Sequence, residues 1–255
     1  MAGENNKSKI MDLYLAGEHE CKNGNKIANW DAVNILESYY YASKNKHFER
    51  LAKTASKLIL DSGAFTFIKN KHRDNWDNYL NNYADFINKH DIKLFFELDI
   101  DPIVGLAKVE QMRNKLESLT GKKPIPVWHK NRGKQYYIDM CKEYPYIALG
   151  GIALREIPRQ KFETLFPWFI STAHNNNAKI HGLGYTGNLK LYKFDSVDSS
   201  AWIHGNLGGY IYLFNPAKGE MEKIKKQGYK VKSFMTAQHN FNEWVKYSNY
   251  AKLYY

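Results

Sequence analysis

The stretch Leu58-Ile59-Leu60-Asp61-Ser62-Gly63-Ala64-Phe65 constrains this chain most. An apolar run with a β-branched middle stops in an acid, a hydroxyl and a glycine, which is how a buried strand delivers a carboxylate to the rim of a sheet. The design recurs in Phe95-Phe96-Glu97-Leu98-Asp99, Ile147-Ala148-Leu149-Gly150-Gly151, Lys179-Ile180-His181-Gly182-Leu183-Gly184 and Phe194-Asp195-Ser196-Val197-Asp198-Ser199-Ser200. Polar and glycine residues are therefore expected together at one end of a parallel sheet.

Helical patterns separate these runs. Residues 30 to 48 read as a helix, with Val33, Leu36 and Tyr40 at helical spacing. Further helices are expected over about 76–86, 104–119 (stopped by Gly121), 135–143, 162–172 and, shorter, 188–192. The strands begin with Met11–Gly17, include Ile125–His129, and end with Tyr210–Leu213 after Gly208-Gly209. About eight βα units in 255 residues fit a (β/α)8 barrel of the TIM type, with an open doubly wound sheet as the competing architecture. No linker or composition break divides the chain, so one domain over residues 1–255 is expected, with a basic, amphipathic C-terminal segment over about 218–255.

A hydrophobic content of 44% against 25% charged residues excludes a disordered chain. The net charge of +11, with 19 Tyr, favours a polyanionic partner, nucleic acid above all. Basic residues cluster at Lys130, Arg132 and Lys134, just past a strand end, and at Lys223, Lys225, Lys226, Lys230 and Lys232. Cys21 and Cys141 are too few for a disulfide framework or a cysteine zinc cluster, and the nine histidines include no HExxH pair, so no metal is expected. No apolar stretch approaches a membrane span and the N-terminus lacks a signal-peptide core, so a cytoplasmic protein with no membrane partner is expected.

Asp61, Asp99 and Asp198 each end an apolar strand. Carboxylates gathered at a barrel mouth split their pKa values, which suits one to nucleophilic attack and another to proton transfer; capping of the following helices is the competing explanation. Asp195 competes with Asp198, because strand alternation puts the two on opposite faces. Gly150, Gly151, Gly182 and Gly184 permit a ligand to approach the backbone, or else serve tight packing. His129 is placed to hydrogen-bond a substrate or a phosphate, or else is a satisfied strand-end histidine, and His181 is expected to be structural.

Asp61-Ser62-Gly63-Ala64-Phe65 resembles the Asp-Ser-Gly-Gly-Phe motif of the tRNA-guanine transglycosylases. Leu149-Gly150-Gly151-Ile152-Ala153 resembles their Gly-Gly-Leu-Ala strand, Gly182-Leu183-Gly184 their Gly-Val-Gly turn, and Phe194-Asp195-Ser196-Val197 their Phe-Asp-Cys-Val segment, in the same order over roughly residues 58–200. Members of that family are (β/α)8 barrels that exchange a guanine in a polynucleotide for a 7-deazaguanine through a covalent aspartyl intermediate. The resemblance implies Asp61 as acid/base, Asp99 as reader of the base edge, Ser62, Gly63, Gly150 and Gly151 at the heterocycle, and Asp195 or Asp198 as nucleophile. The tRNA enzymes carry a Cys/His zinc subdomain that this shorter chain lacks, so it looks more like the compact, phage-type DNA transglycosylases. That favours DNA over tRNA, with a free 7-deazaguanine base as co-substrate and no further cofactor. A nucleoside-cleaving glycosidase and a non-catalytic nucleic-acid-binding barrel are the other classes that fit.

Overall fold

The computed structural model describes residues 10–17, 32–70, 75–203, 209–225 and 233–255. Lys226, Lys230 and Lys232, and the basic loop at Lys71–Arg73, lie outside them.

Eight strands form one all-parallel sheet: β1 (Asp12–Ala16), β2 (Asn34–Ser38), β3 (Lys57–Asp61), β4 (Leu94–Phe95), β5 (Val127–Trp128), β6 (Tyr146–Leu149), β7 (Lys179–Gly182) and β8 (Ser196–Ser199). Their order is β4-β3-β2-β1-β8-β7-β6-β5, so neighbours in sequence are neighbours in space and β1 pairs with β8. The sheet curls until its edges nearly meet. An isolated parallel bridge, Phe96 to Ile125, spans β4 and β5, with the Ile125 N–H donating to Phe95 O at 2.8 Å and the Glu97 N–H to Ile125 O at 3.0 Å. This α/β arrangement is compatible with the TIM-like fold expected from the recurring strand ends, but the sheet is not closed, since the regular ladder does not run through that last seam.

Strand alternation sorts the core into two layers. Tyr14, Ala16, Leu36, Ile59, Phe96, Ile125, Val127 and Ala148 pack on one another from the concave face. The residues between them, such as Leu13, Leu15, Ile35, Leu60, Ile147, Leu149 and Val197, pack outward with the helices.

The outer helices follow their sequence pattern closely. Helix Trp76–Lys89 is capped by Asn75, whose side chain accepts the Asn78 N–H at 3.1 Å, and it buries Leu80, Tyr83, Ala84 and Ile87 at the i, i+3, i+4, i+7 spacing of one face. Each such Leu or Ile contributes about 1.5–3 kcal/mol through burial. The Tyr83 hydroxyl lies 3.1 Å from both Leu60 O and Phe96 O, tying that helix to β3 and to the chain just past β4. Helix Leu106–Thr120 ends at Gly121 in a left-handed conformation (φ 65°), the stop expected there.

Three elements differ from expectation. Residues 30–48 are not one helix: β2 occupies Asn34–Ser38, followed by a single turn over Tyr39–Ala42. Asn34, Ile35, Leu36 and Glu37 are buried in succession, which one helix face cannot achieve but a strand flanked by β1 and β3 can. Conversely, Tyr210–Asn215 is a strand outside the sheet, paired antiparallel with Glu220–Lys225. The short helix expected at 188–192 is a turn.

That hairpin leans on the C-terminal helix, Ser233–Tyr254. Asn240 and Glu243 accept the backbone N–H groups of Tyr212 and Phe214, each at 2.8 Å, which satisfies the free edge of the strand. Phe241, Trp244 and Tyr247 bury the helix's apolar face, and the Ser248 hydroxyl donates to Leu13 O at 2.9 Å, so the basic C-terminal segment is bound to β1 rather than separate from the sheet.

Candidate active site

The carboxyl ends of β3, β4 and β8 bring three aspartates into one electrostatic unit. Asp61 is the last residue of β3, Asp99 lies four residues past β4, and Asp198 is the third residue of β8. Burial, helped by the neighbouring charges of Asp99 and Asp198, raises the Asp61 carboxyl from 3.8 to about 7. The Gly63 N–H, donating to Asp61 Oδ2 at 3.0 Å, opposes them in part. Gly63 has φ +87°, and a Cβ there would lie 2.8 Å from Tyr40 Cβ, so only glycine makes this turn.

Asp198 is held differently. Its Oδ1 accepts the Gly184 N–H at 2.7 Å and faces His181 Nε2 at 3.2 Å. Gly184, at φ +67°, turns its N–H toward the carboxylate. Asp195 precedes β8, at the opposite end of that strand. Its Oδ2 accepts the Ile180 N–H at 2.8 Å and lies 2.9 Å from His174 Nε2, so it joins β7 to the helix Arg159–Asn175 outside the sheet. The strand geometry therefore separates the two candidates by the length of β8.

Beside Asp99 stands His129, two residues past Val127 of β5. Its Nε2 is 3.0 Å from Asp99 Oδ2 and its Nδ1 2.7 Å from Glu156 Oε1, while Glu156 Oε2 accepts the Lys130 N–H at 2.9 Å. Burial alone would lower the His129 pKa, but the two carboxylates outweigh it and raise it to about 10, so the ring is a cation at neutral pH. The glycines of β6 make room for this bridge. A Cβ on Gly150 would sit 2.7 Å from Val127 Cγ1 and 2.9 Å from His129 Cε1, and one on Gly151 (φ +75°) would sit 2.5 Å from Glu156 Oε2. Packing accounts for both glycines here, as it does for Gly182, whose Cβ would meet the Phe194 ring at 3.2 Å. Ser62 is fully buried; its Oγ accepts the Ala64 N–H at 3.4 Å and its carbonyl the Tyr79 hydroxyl at 2.7 Å, so it shapes the turn after Asp61.

Arg132 corrects the expected phosphate-binding cluster. Its side chain is wholly buried, with Nη1 donating to Glu97 Oε1 at 2.7 Å and Nε and Nη2 to the two Asp101 oxygens at 3.0 and 2.7 Å. Arg113 completes the network, donating to Glu97 Oε2 at 3.0 Å and to the Tyr136 hydroxyl at 3.1 Å. A guanidinium with three donors spent on buried carboxylates has no face for a phosphate; it clamps the loops that carry Asp99 and His129. Lys130, Lys134 and Lys225 are exposed, and Lys134 lies over the Trp168 ring at 5.0 Å.

Glu97, Asp101 and Arg113 escaped sequence reading as a network, although Glu97-Leu98-Asp99-Ile100-Asp101 does announce itself by an acid at every second position. Glu156 carries no such signal. Its role depends on a turn, with its own N–H on Gly151 O at 3.0 Å, that folds it back over β6. Among the described residues no group of three or more His, Cys, Asp or Glu could hold a metal ion. Cys141 is buried in the helix Gly133–Glu143 with its thiol pushed up to about 11 by burial, unsuited to attack at neutral pH. No helix among the described residues is long and apolar enough to cross a membrane.

No protein-family model matches the chain, and no curated protein matches it.

Proposed function

We propose that the chain is a base-exchange transglycosylase, a (β/α)8 barrel without a zinc subdomain, that replaces guanine in DNA with a 7-deazaguanine of the preQ0 type. The observation that carries this reading is the Asp61–Asp99–Asp198 unit, in which one carboxyl is driven to about 7 by burial and by its neighbours while another is tethered through a single oxygen. Base exchange needs those two behaviours at once. The bridge between Phe96 and Ile125 supports a barrel, and the net charge of +11 supports a polynucleotide over a free nucleoside. DNA is preferred to tRNA on the resemblance to the compact enzymes alone.

In the proposed reaction Asp198 attacks deoxyribose C1′ as the C1′–N9 bond breaks, and the electron pair leaves with guanine. Asp61, protonated for much of the time near neutrality, supplies the proton that the departing base takes up. The incoming 7-deazaguanine gives its N9 proton to Asp61 and displaces the aspartyl oxygen from C1′, restoring Asp198. Asp99, locked by the His129 cation, accepts hydrogen bonds from the base edge. Taking the target base out of the stack would cost a few kcal/mol, offset by contacts from the exposed Lys130, Lys134 and Lys225 to the backbone. Asp195 keeps β7 and its helix together and takes no part.

Incubation with duplex DNA or tRNA and labelled deazapurine bases tests the reading. Incorporation into DNA, lost in Asp198→Ala, is the expected result. Incorporation into tRNA alone would move the substrate to tRNA; release of base from free nucleosides independent of salt would favour a nucleoside-cleaving enzyme. Salt-sensitive binding without any exchange, unchanged when every strand-end aspartate is replaced, would leave only a nucleic-acid-binding barrel.

A further inference from the structure

Beneath Asp198 the concave face of the sheet holds polar side chains where its neighbours are apolar. His181 is fully buried, with its ring 6.1 Å from that of Tyr14 and 5.4 Å from that of Phe96. Its Nδ1 is hydrogen-bonded to Ser196 Oγ, which in turn bonds the Tyr146 hydroxyl, and its Nε2 faces Asp198 Oδ1 at 3.2 Å. The strands create this alignment. Ser196 and His181 are register partners across β8 and β7, and Asp198, two residues above Ser196, emerges on the same face.

An imidazole, a hydroxyl and a phenol in this position are costly to bury unless each is hydrogen-bonded, and three apolar side chains would fill the same layer without that cost. Here the polar groups satisfy one another in a line that ends on Asp198. A carboxylate oxygen only accepts, so His181 Nε2 is the donor. With a neutral imidazole the order is Tyr146 O–H to Ser196, Ser196 O–H to His181 Nδ1, and His181 Nε2–H to Asp198. With the Gly184 N–H, two donors converge on Oδ1, and among the described residues no hydrogen bond reaches Oδ2.

We propose that His181, backed by Ser196 and Tyr146, is a positioning residue that fixes Asp198 through Oδ1 and so leaves Oδ2 as the attacking oxygen. The proposal rests on the reading of Asp198 as nucleophile. It gives His181 a part in the reaction without contact with substrate, and it explains why the buried layer under the site is polar.

The test compares His181→Leu, Ser196→Ala and Tyr146→Phe by the rate of covalent adduct formation with a guanine-containing duplex and by affinity for that duplex. A misdirected nucleophile loses about 10²-fold in rate, so His181→Leu is expected to fall by that factor with affinity unchanged, and the other two to fall less, in order of distance from Asp198. A folded His181→Leu that forms adduct at the wild-type rate would overturn the positioning role. If His181→Leu does not fold, nitrogen-15 NMR of the wild-type ring decides: Nε2 protonated and Nδ1 an acceptor, with the Nε2 signal moved by Asp198→Asn, is expected, and the opposite tautomer refutes the proposal. No adduct in the wild-type protein would instead sink the transglycosylase reading, a result separable from failure of His181 alone.

Discussion

Two clusters of acids lie within a few residues of each other past β4, and they behave oppositely. Glu97 and Asp101 are buried against Arg113 and Arg132, with each cation answered by a carboxylate at 2.7–3.0 Å. Asp99, between them in sequence, belongs instead to the group of three aspartates, and the His129 cation that it faces is divided with Glu156. The matched cluster holds the loops in place. The unmatched one adds the charges of Asp99 and Asp198 to the burial of Asp61, whose proton is therefore poised near neutrality. The difference teaches that the chemistry proposed here comes from burial together with a local deficit of positive charge, and that the surrounding scaffold is what maintains both.

The sharpest way to break this contrast is at Asp198. Replacing it with Asn removes the nucleophile, and base exchange is expected to drop by about 10³-fold or more in a radiolabelled-base incorporation assay, with the protein still folded. On the matched side, Arg132→Met leaves Asp101 buried without its cation and Glu97 with Arg113 alone. Removing one member of a buried ion pair costs about 3–5 kcal/mol, so a large loss in denaturant midpoint is expected, whereas exchange in the surviving folded fraction should change less. An unchanged midpoint would show that the network does not carry the loops.

Asp61→Asn probes the unmatched side by both activity and pH. General acid–base catalysis contributes roughly 10²–10⁴-fold, and exchange should fall by about the lower figure while polynucleotide affinity is kept. Because the folded pKa, about 7, lies above the unfolded 3.8, the folded state binds the extra proton between those values. The wild type therefore loses stability as pH rises from 3.8 to about 7, and Asp61→Asn should remove that slope in a series of urea melts. A wild-type profile already flat across the window would contradict the charge deficit.

A smaller effect is expected at His129. Its ring proton resonance should not titrate below a pH of about 9, since its pKa is raised to about 10, and Glu156→Gln should bring the transition down toward the ordinary histidine range. The smallest effects belong to the surface: Lys130→Ala and Lys134→Ala should each weaken polynucleotide binding and reduce its salt slope by about one, as single phosphate contacts do.

The strand ends were legible because an apolar run closed by an acid or glycine is a local pattern, and Asp61, Asp99 and Asp198 gather as that pattern implies. β2 was not legible, since Val33, Leu36 and Tyr40 satisfy helical spacing and only pairing with β1 and β3 selects a strand. Tyr210–Asn215 reads as a strand and is one, but nothing in its residues says that it pairs with the next hairpin arm instead of the sheet. The expected number of strands in the sheet was thus reached with one member missed and another misplaced. Arg132 looked like a phosphate ligand because its charge is local information, while the carboxylates that bury it come from 31 and 35 residues away. The same holds for His129, whose partners lie 27 and 30 residues away, and for the choice between Asp195 and Asp198, which rests on where β8 begins.

The central claim is that Asp198, and not Asp195, forms the bond to the deoxyribose. The direct measurement is to trap the covalent adduct with a guanine-containing duplex, digest the protein and locate the modified residue by mass spectrometry. The account predicts the deoxyribosyl mass on Asp198, absent from Asp198→Asn. An adduct on Asp195, or one that persists in Asp198→Asn, would contradict it.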